Sequence, residues 1–403
     1  MGHQDFSNKK ALLIEDMAEA RIMQKKMLND FGFKSVDIAM KAETAIELLK
    51  NQQFDIILAD YNLGKGKDGQ LLLEEARHTK LIPNTVTYLM VTAETSIEMI
   101  MGAIDFQPDG YITKPFSQAE LQRRLTKLLK TKERLLNVNL ALDAGEFQET
   151  IKAAKAVMKK HPSLEGRCER VIGKSLLELK QYPEALKLFN KTLKSRKMPW
   201  ALFGQAKSYF HLGELDKAEK NLRQLMLDNR FFVSAYDWLA KTKVAQGHPE
   251  EAQAILIDAI GRSPKNVLRQ IELGHLSLSI KDYTTAEMAY RRAVFLAKHS
   301  CYNTADVYLG HLESLVRIAD DGPLAERQLD NFNNTLKKIH QSFIDDPRVA
   351  AKSYSYEIDI YLANKDLTTA KQMFELWLNE VKTNVASPPT KQQTQKYTAA
   401  FGG

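Results

Sequence analysis

A chain of 403 residues is too long for one ordinary hydrophobic core and predicts two or three folded units. With 44% hydrophobic and 27% charged residues, and no run near the ~20 apolar residues of a membrane span, it excludes general disorder and a membrane-crossing helix. The net charge of +7 is uneven: residues 1–130 hold 17 basic and 18 acidic side chains, the remainder 40 and 32, so the positive excess belongs to the second part.

Residues 1–8 have no apolar signal core, and Phe6 stands where myristoylation of Gly2 would need Ser or Thr; they are expected to be flexible. From 9 to 130, short apolar runs alternate with amphipathic stretches. Strands are predicted at Lys10–Ile14, Val36–Ala39, Ile56–Ala59, Thr87–Val91 and Gly110–Thr113, and helices over 18–31, 42–51, 68–78, 95–105 and 117–130. Five strand–helix units predict a parallel sheet covered on both faces, α/β and doubly wound in the flavodoxin-like manner. Ligands of such folds bind outside the carboxyl ends of the strands. Those ends carry Glu15 and Asp16 after the first strand, Asp60 after the third, Thr92-Ala93 after the fourth and Lys114-Pro115 after the fifth. Glu15-Asp16 alone reads as a helix cap and Lys114 alone as a surface lysine. Together, three carboxylates, a hydroxyl and an ammonium converge on one sheet edge.

This set resembles the receiver domain of two-component response regulators, and the resemblance runs from the N-terminus to Lys130. Phe54-Asp-Ile-Ile-Leu-Ala-Asp60-Tyr-Asn-Leu matches the phosphoacceptor strand, Val91-Thr92-Ala93 the hydroxyl motif and Ile112-Thr-Lys114-Pro-Phe116 the lysine motif. The resemblance implies that Asp60 accepts a phosphoryl group from a sensor histidine kinase. It further implies that Glu15, Asp16, Asp60 and the backbone carbonyl of Asn62 hold Mg2+. Lys114, the Thr92 hydroxyl and the Ala93 amide would then meet the phosphoryl oxygens, whose charge must be neutralised in the transition state. Tyr111 stands at the position of the family's switch aromatic, expected to turn inward as Thr92 moves; its other reading is a half-exposed edge-strand tyrosine. Asn62 and Glu94, each two residues beyond a motif residue, are the types found at the lifetime-tuning positions of the chemotaxis receiver and imply a phosphate lasting seconds to minutes. The loop Asn62-Leu-Gly64-Lys-Gly-Lys-Asp68-Gly69 departs from the family in lacking a proline and in being one residue longer.

From about residue 131 a repeat replaces the strand pattern. A turn followed by a small residue recurs as Gly145-Glu-Phe147, Lys180-Gln-Tyr182-Pro-Glu-Ala185, Gly213-Glu-Leu215-Asp-Lys-Ala218, Gly247-His-Pro249-Glu-Glu-Ala252 and Lys281-Asp-Tyr283-Thr-Thr-Ala286, in steps of 35, 33, 34 and 34. A further copy, Lys365-Asp-Leu367-Thr-Thr-Ala370, lies beyond an irregular one near Asp321-Gly-Pro-Leu-Ala325. Two helices per step of this size resembles tetratricopeptide repeats, an all-α solenoid over 131–382, with Thr150 replacing the usual alanine in the first copy. Gly173, Ala206, Ala240 and Gly274 fall where helices must approach closely, while Phe189, Tyr209, Leu256 and Tyr290 fill large packing positions. Trp200, Trp238 and Trp377 are expected in the core.

Arrays of this kind bind protein segments on their inner face. His211, His248, His275 and His311 are scattered singly, and Cys168 and Cys301 lack metal-ligand or disulfide spacing, which suits a reducing cytoplasm. No phosphate loop or nucleophile–base pair occurs, so no enzyme is expected beyond self-phosphorylation and self-dephosphorylation at Asp60. No helix-turn-helix follows the receiver. Output through an acidic protein partner, rather than DNA or membrane, is the expectation. The alternative is a receiver-gated RNA- or nucleic-acid-binding protein, disfavoured because lysines such as Lys152, Lys155, Lys159 and Lys160 are dispersed rather than gathered with aromatics. No Gly or Pro interrupts Ser117 to Leu136, which predicts a nearly continuous helix joining the two parts. Residues 383–403 are polar and aperiodic and are expected to be disordered.

Overall fold

The apolar runs Lys-Ala-Leu-Leu-Ile, Ile-Ile-Leu-Ala and Tyr-Leu-Met-Val have no polar face to give to water, so they form the central strands of a sheet covered on both sides. In the computed structural model, which describes residues 6–64, 66–93 and 108–402, these are β1 (Lys10–Ile14), β3 (Ile56–Asp60) and β4 (Thr87–Thr92). With β2 (Ser35–Ala39) and β5 (Gly110–Thr113) they pair in parallel in the order β2-β1-β3-β4-β5. The register places Ile14 beside both Ala39 and Ala59, Asp60 beside Val91, and Thr92 beside Thr113, so the carboxyl ends lie at one edge.

Helices α1 (Ala18–Asp30), α2 (Ala42–Asn51), α3 (Gly69–His78) and α4 (Gln118–Arg134) cover the sheet. Alternate strand residues feed two cores. Leu12, Ile14, Ile57 and Met90 pack with α2 and α3, whereas Leu13, Ile56, Leu58 and Val91 pack with Leu28 of α1 and Leu121 and Leu125 of α4. The predicted helix at 95–105 lies outside the described residues, as does Glu94. Within residues 1–8, expected to be flexible, Phe6 is instead buried against Phe33 at 4.8 Å between ring centres, because an aromatic near the sheet gains more from burial than its backbone loses in freedom.

The chain divides into two compact units, residues 1–264 and 265–403. In the first, α4 runs beyond the sheet and is separated from α5 (Leu136–Asp143) by Leu135 alone. The expectation of a nearly continuous connection therefore holds, with one interruption. A clasp reinforces it: the Asp143 carboxylate accepts from the Asn84 amide at 2.8 and 3.0 Å and from Asn84 Nδ2 at 2.7 Å. Lys132 donates to the Asn84 carbonyl at 2.5 Å and pairs with Asp109 at 2.8 Å.

Helical pairs follow: α5 with α6 (Phe147–Lys160), α7 (Glu165–Glu178) with α8 (Tyr182–Ser195), α9 (Pro199–His211) with α10 (Leu215–Asp228), and α11 (Val233–Ala245) with α12 (Pro249–Arg262). The recurring sequence landmark is a left-handed helix stop. Gly145, Lys180, Gly213 and Gly247 have φ between 56° and 80°, and the following amide reaches back five residues, as in Gln181 to Leu176 and Glu214 to Tyr209, each at 2.9 Å. Thr150, the departure from alanine, is fully buried with its hydroxyl donating to the Glu146 carbonyl at 3.0 Å. The Phe189 ring fills the space left by two glycines, Gly173 of α7 and Gly204 of α9.

The second unit holds α13 (Val267–Ser279) with α14 (Tyr283–Ala297), α15 (Ala305–Ala319) with α16 (Glu326–Ser342), α17 (Pro347–Ala363) with α18 (Leu367–Lys382), and α19 (Lys391–Ala400). The irregular stretch near Asp321 is the turn between α15 and α16. The described part of the segment expected to be disordered, residues 383–402, is instead packed: Tyr397 of α19 is fully buried and donates to the Ser355 carbonyl at 3.2 Å. Trp377 Nε1 donates to the Ser387 carbonyl at 2.8 Å. The apolar face of the α17–α18 pair is covered by this segment, with Ala386, Tyr397 and Phe401 packed against Tyr354, Phe374 and Trp377. Of the three tryptophans expected in the core, Trp377 is there, whereas Trp200 and Trp238 are half-buried.

Candidate functional site

At the carboxyl edge of the sheet, Glu15 leaves β1 fully buried, Asp16 follows it exposed, and Asp60 ends β3 with 6% of its surface accessible. Their carboxylate oxygens lie within 4.8 Å of one another. Lys114, just past β5, reaches into this group: its Nζ is 2.7 Å from Glu15 Oε2 and 2.8 Å from Asp60 Oδ2. The Lys114 amide donates to the Thr92 carbonyl at 2.7 Å, so the buried Thr92 and Lys114 are tied through backbone. Ala93 and Asn62 are exposed beside them, and the Asn62 amide approaches Asp60 Oδ1 at 3.4 Å. Tyr111 is half-buried on β5, packed against the core shared with α2 and α3. The strand-end residues named from sequence are therefore together, save Glu94, which lies outside the described residues.

Three residues that shape the edge were not legible in the motifs. Gln24 is one of two buried residues of α1 and donates to Glu15 Oε2 at 2.8 Å, fixing the carboxylate from behind. Its signal was a polar residue four before Leu28, on the helix's apolar stripe. Arg21 donates to the carbonyls of Glu15 at 3.1 Å and Asp16 at 2.9 Å, pinning the loop that presents both acids. Gly69 opens α3 directly against β3, where a Cβ would lie 2.1 Å from the Asp60 carbonyl oxygen, so only glycine permits α3 to start there. Asp68 before it accepts from the Leu71 amide at 2.9 Å and caps the helix.

Burial raises the Asp60 carboxyl above its ordinary pKa; the Lys114 hydrogen bond works against that shift and the Glu15 charge adds to it. For Lys114, burial alone would lower the ammonium's pKa, but its bonds to Asp60 and Glu15 outweigh this and raise it. Clustered acids at a single lysine leave negative charge to be neutralised. An all-oxygen donor set suits a hard divalent cation such as Mg2+, and these carboxylates lie close enough to one another to share one.

The chain is similar to known proteins in both of its parts. The response regulator receiver domain matches residues 11–126, and the tetratricopeptide repeat matches residues 170–225 and 239–300. Chemotaxis protein CheY-3 of Vibrio cholerae is 34% identical over 123 residues, covering 30% of this chain and 93% of that protein. Chemotaxis protein CheY of Pseudomonas aeruginosa is 31% identical over 121 residues, covering 30% of this chain and 96% of that protein. Among solved structures, a tetratricopeptide repeat protein from Parabacteroides merdae superposes with a TM-score of 0.38 at 16% identity, covering 68% of this chain and 98% of that one. Among the described residues, no helix is long and apolar enough to cross a membrane.

Proposed function

The chain belongs to the response-regulator receiver family, with tetratricopeptide repeats behind the receiver, and on that premise we propose that Asp60 is the phosphoacceptor controlling what the repeats bind. The observation that carries this reading is the Lys114 ammonium held between Glu15 and Asp60, with Asp16 alongside. An Asp60 carboxylate oxygen attacks the phosphorus of a phosphohistidine on the sensor kinase. The new O–P bond forms as the P–N bond breaks, and the imidazole leaves with its electron pair. Glu15, Asp16, Asp60 and the Asn62 carbonyl would hold Mg2+, which supplies neutralising charge to the transferred oxygens. Lys114 exchanges its bond to Asp60 Oδ2 for the phosphoryl group, and the Thr92 hydroxyl and Ala93 amide donate to it. Asn62 and Glu94 tune access of the hydrolytic water, giving a lifetime of seconds to minutes.

Transmission would run through Thr92 and Tyr111 and on to the repeats by way of the short break at Leu135 and the Asn84–Asp143 clasp, a pair of elements able to shift together. The output is a protein partner whose affinity changes with phosphorylation, by 5- to 150-fold if coupling is of the usual size of about 1–3 kcal/mol. Intact-mass measurement after incubation with a small phosphodonor and Mg2+ tests the core of this. The native chain should gain one phosphate and the Asp60→Asn variant none; stoichiometric uptake by that variant would falsify the assignment.

A further inference from the structure

Lysines that look dispersed in sequence are gathered by the first unit's fold. Lys174 of α7, Lys207 of α9 and Lys241 of α11 hold equivalent positions on the first helices of three consecutive repeats, each one repeat step beyond the last. Gly173 and Gly204 let α7 and α9 close on the Phe189 ring, and Lys174 and Lys207 line the same cleft beside it. Arg170, one turn before Lys174, adds a cation. A cleft of about 410 Å³ opens between α7, α9 and the segment leading to α11, walled by Leu177, Trp200, Phe203 and Phe232. Lys207 and Lys241 stand over the Trp238 ring at 4.7 and 5.6 Å from its centre. Phe203 meets Phe232 edge-on at 5.2 Å.

Among the described residues, the lining of this cleft carries Arg170, Lys174 and Lys207 and no acid, with Glu178 near enough to act on both lysines. Helix α9 has no acidic residue. Burial, then the Arg170 and Lys207 charges, lower Lys174 to about 8, with Glu178 offsetting part of the repulsion. Lys207 is lowered by burial, with Glu178 opposing and Lys241 contributing. Such a row carries a positive potential that an anionic ligand relieves.

We propose that this cleft is the partner site of the repeats and that its occupant is an extended acidic segment of a protein, carrying an aromatic or leucine side chain among its carboxylates. The carboxylates pair with Lys174, Lys207 and Lys241, and the apolar side chain enters between Leu177 and Phe203. Packed helices stand about 8–10 Å apart and an extended chain advances about 3.3 Å per residue, so successive lysines meet acids about three residues apart. A nucleic acid fits less well. Base stacking needs an open aromatic face, whereas Trp238 is covered by two lysines and Phe203 is turned edge-on to its neighbours.

This deepens the reading of the repeats as the output surface, and its test does not pass through Asp60. Full-length protein is titrated by fluorescence anisotropy with labelled acetyl-Asp-Glu-Asp-Phe-Glu-Asp-Glu-amide, with the same peptide bearing Asn and Gln for each acid, and with a ten-nucleotide oligouridylate. The acidic peptide should bind, and its amide counterpart at least about tenfold more weakly. Lys174→Met and Lys207→Met should each weaken binding about tenfold with an unchanged circular dichroism spectrum, while Lys207→Arg retains most of it. No binding of the acidic peptide up to about 1 mM, equal binding of both peptides, or indifference to the lysine substitutions overturns the proposal. Tighter binding of oligouridylate, lost in Lys207→Met, assigns the cleft to nucleic acid instead. A chain that takes up phosphate but ignores the peptide loses only this inference; one that binds the peptide but takes up no phosphate loses only the phosphoacceptor reading.

Discussion

Replacing Gly204 by alanine probes the packing on which the basic row depends. A Cβ there would lie 2.3 Å from Phe189 Cζ and 2.6 Å from both Cε atoms, well inside contact distance, so something must move. The ring is 2% exposed, and it cannot retreat toward α7, because the Gly173 position on that side is as tight, at 2.4 Å from Cε1. Overpacking a core ordinarily costs about 1–3 kcal/mol, and with both escape directions closed the upper half of that range, about 2–3 kcal/mol, is expected. Phe189→Leu removes ring atoms at the clash and should cost about 1–2 kcal/mol alone. Because the two changes are complementary in volume, the double variant should be at least about 1 kcal/mol more stable than the sum of the single effects. Urea unfolding followed by circular dichroism supplies the three free energies. Amide exchange in α7–α10 shows whether the loss is local, as expected of an array whose repeats contact mainly their neighbours. A Gly204→Ala chain within about 0.5 kcal/mol of the native one, or strict additivity, would refute the wedge.

Lys281 holds φ at 63° in a turn where Gly145, Gly213 and Gly247 stand in three other repeats, so Lys281→Gly should stabilise the second unit by about 0.5–1 kcal/mol in the same urea assay; destabilisation would show that its side chain matters more than its backbone. Gln24→Leu removes the donor that orients Glu15 and should weaken Mg2+ binding about 10- to 100-fold by calorimetric titration, with unchanged affinity speaking against an orienting role. Asp143→Ala deletes three exposed hydrogen bonds, so its stability cost should stay near about 1–2 kcal/mol; exchange of the Asn84 amide should accelerate, and a Gly-Gly insertion after Thr131 should uncouple phosphorylation from peptide affinity. Tyr397→Ala should cost about 3 kcal/mol and shift tryptophan emission to the red as Trp377 is uncovered; an unchanged spectrum would mean that α19 is not a cap.

The receiver was legible because its evidence is local. Alternating apolar runs fix the strands, and residues immediately after them, such as Asp60 and Lys114, are carried to the sheet edge by connectivity alone. The repeat phase was legible for a similar reason: a left-handed stop, once in each regular repeat, is written in Gly, or in Lys followed by a helix-opening residue. Polarity misled at residues 383–403, where the single Tyr397 decides the outcome by finding an uncovered apolar face that no local pattern announces.

What the sequence determined by itself is the two-part architecture and the identity of the strand-end acids, hydroxyl and lysine, since each follows from short-range periodicity and chain order. The tertiary structure alone decided which distant side chains share a space. It placed Gln24 behind Glu15, set Asp143 against Asn84, and brought Lys207 and Lys241 over Trp238, with Lys174 beside Lys207 in the same cleft. Such contacts depend on how closely one backbone may approach another, and that distance is set by the volumes of residues such as Gly69, Gly173 and Gly204, which pack against partners far along the chain.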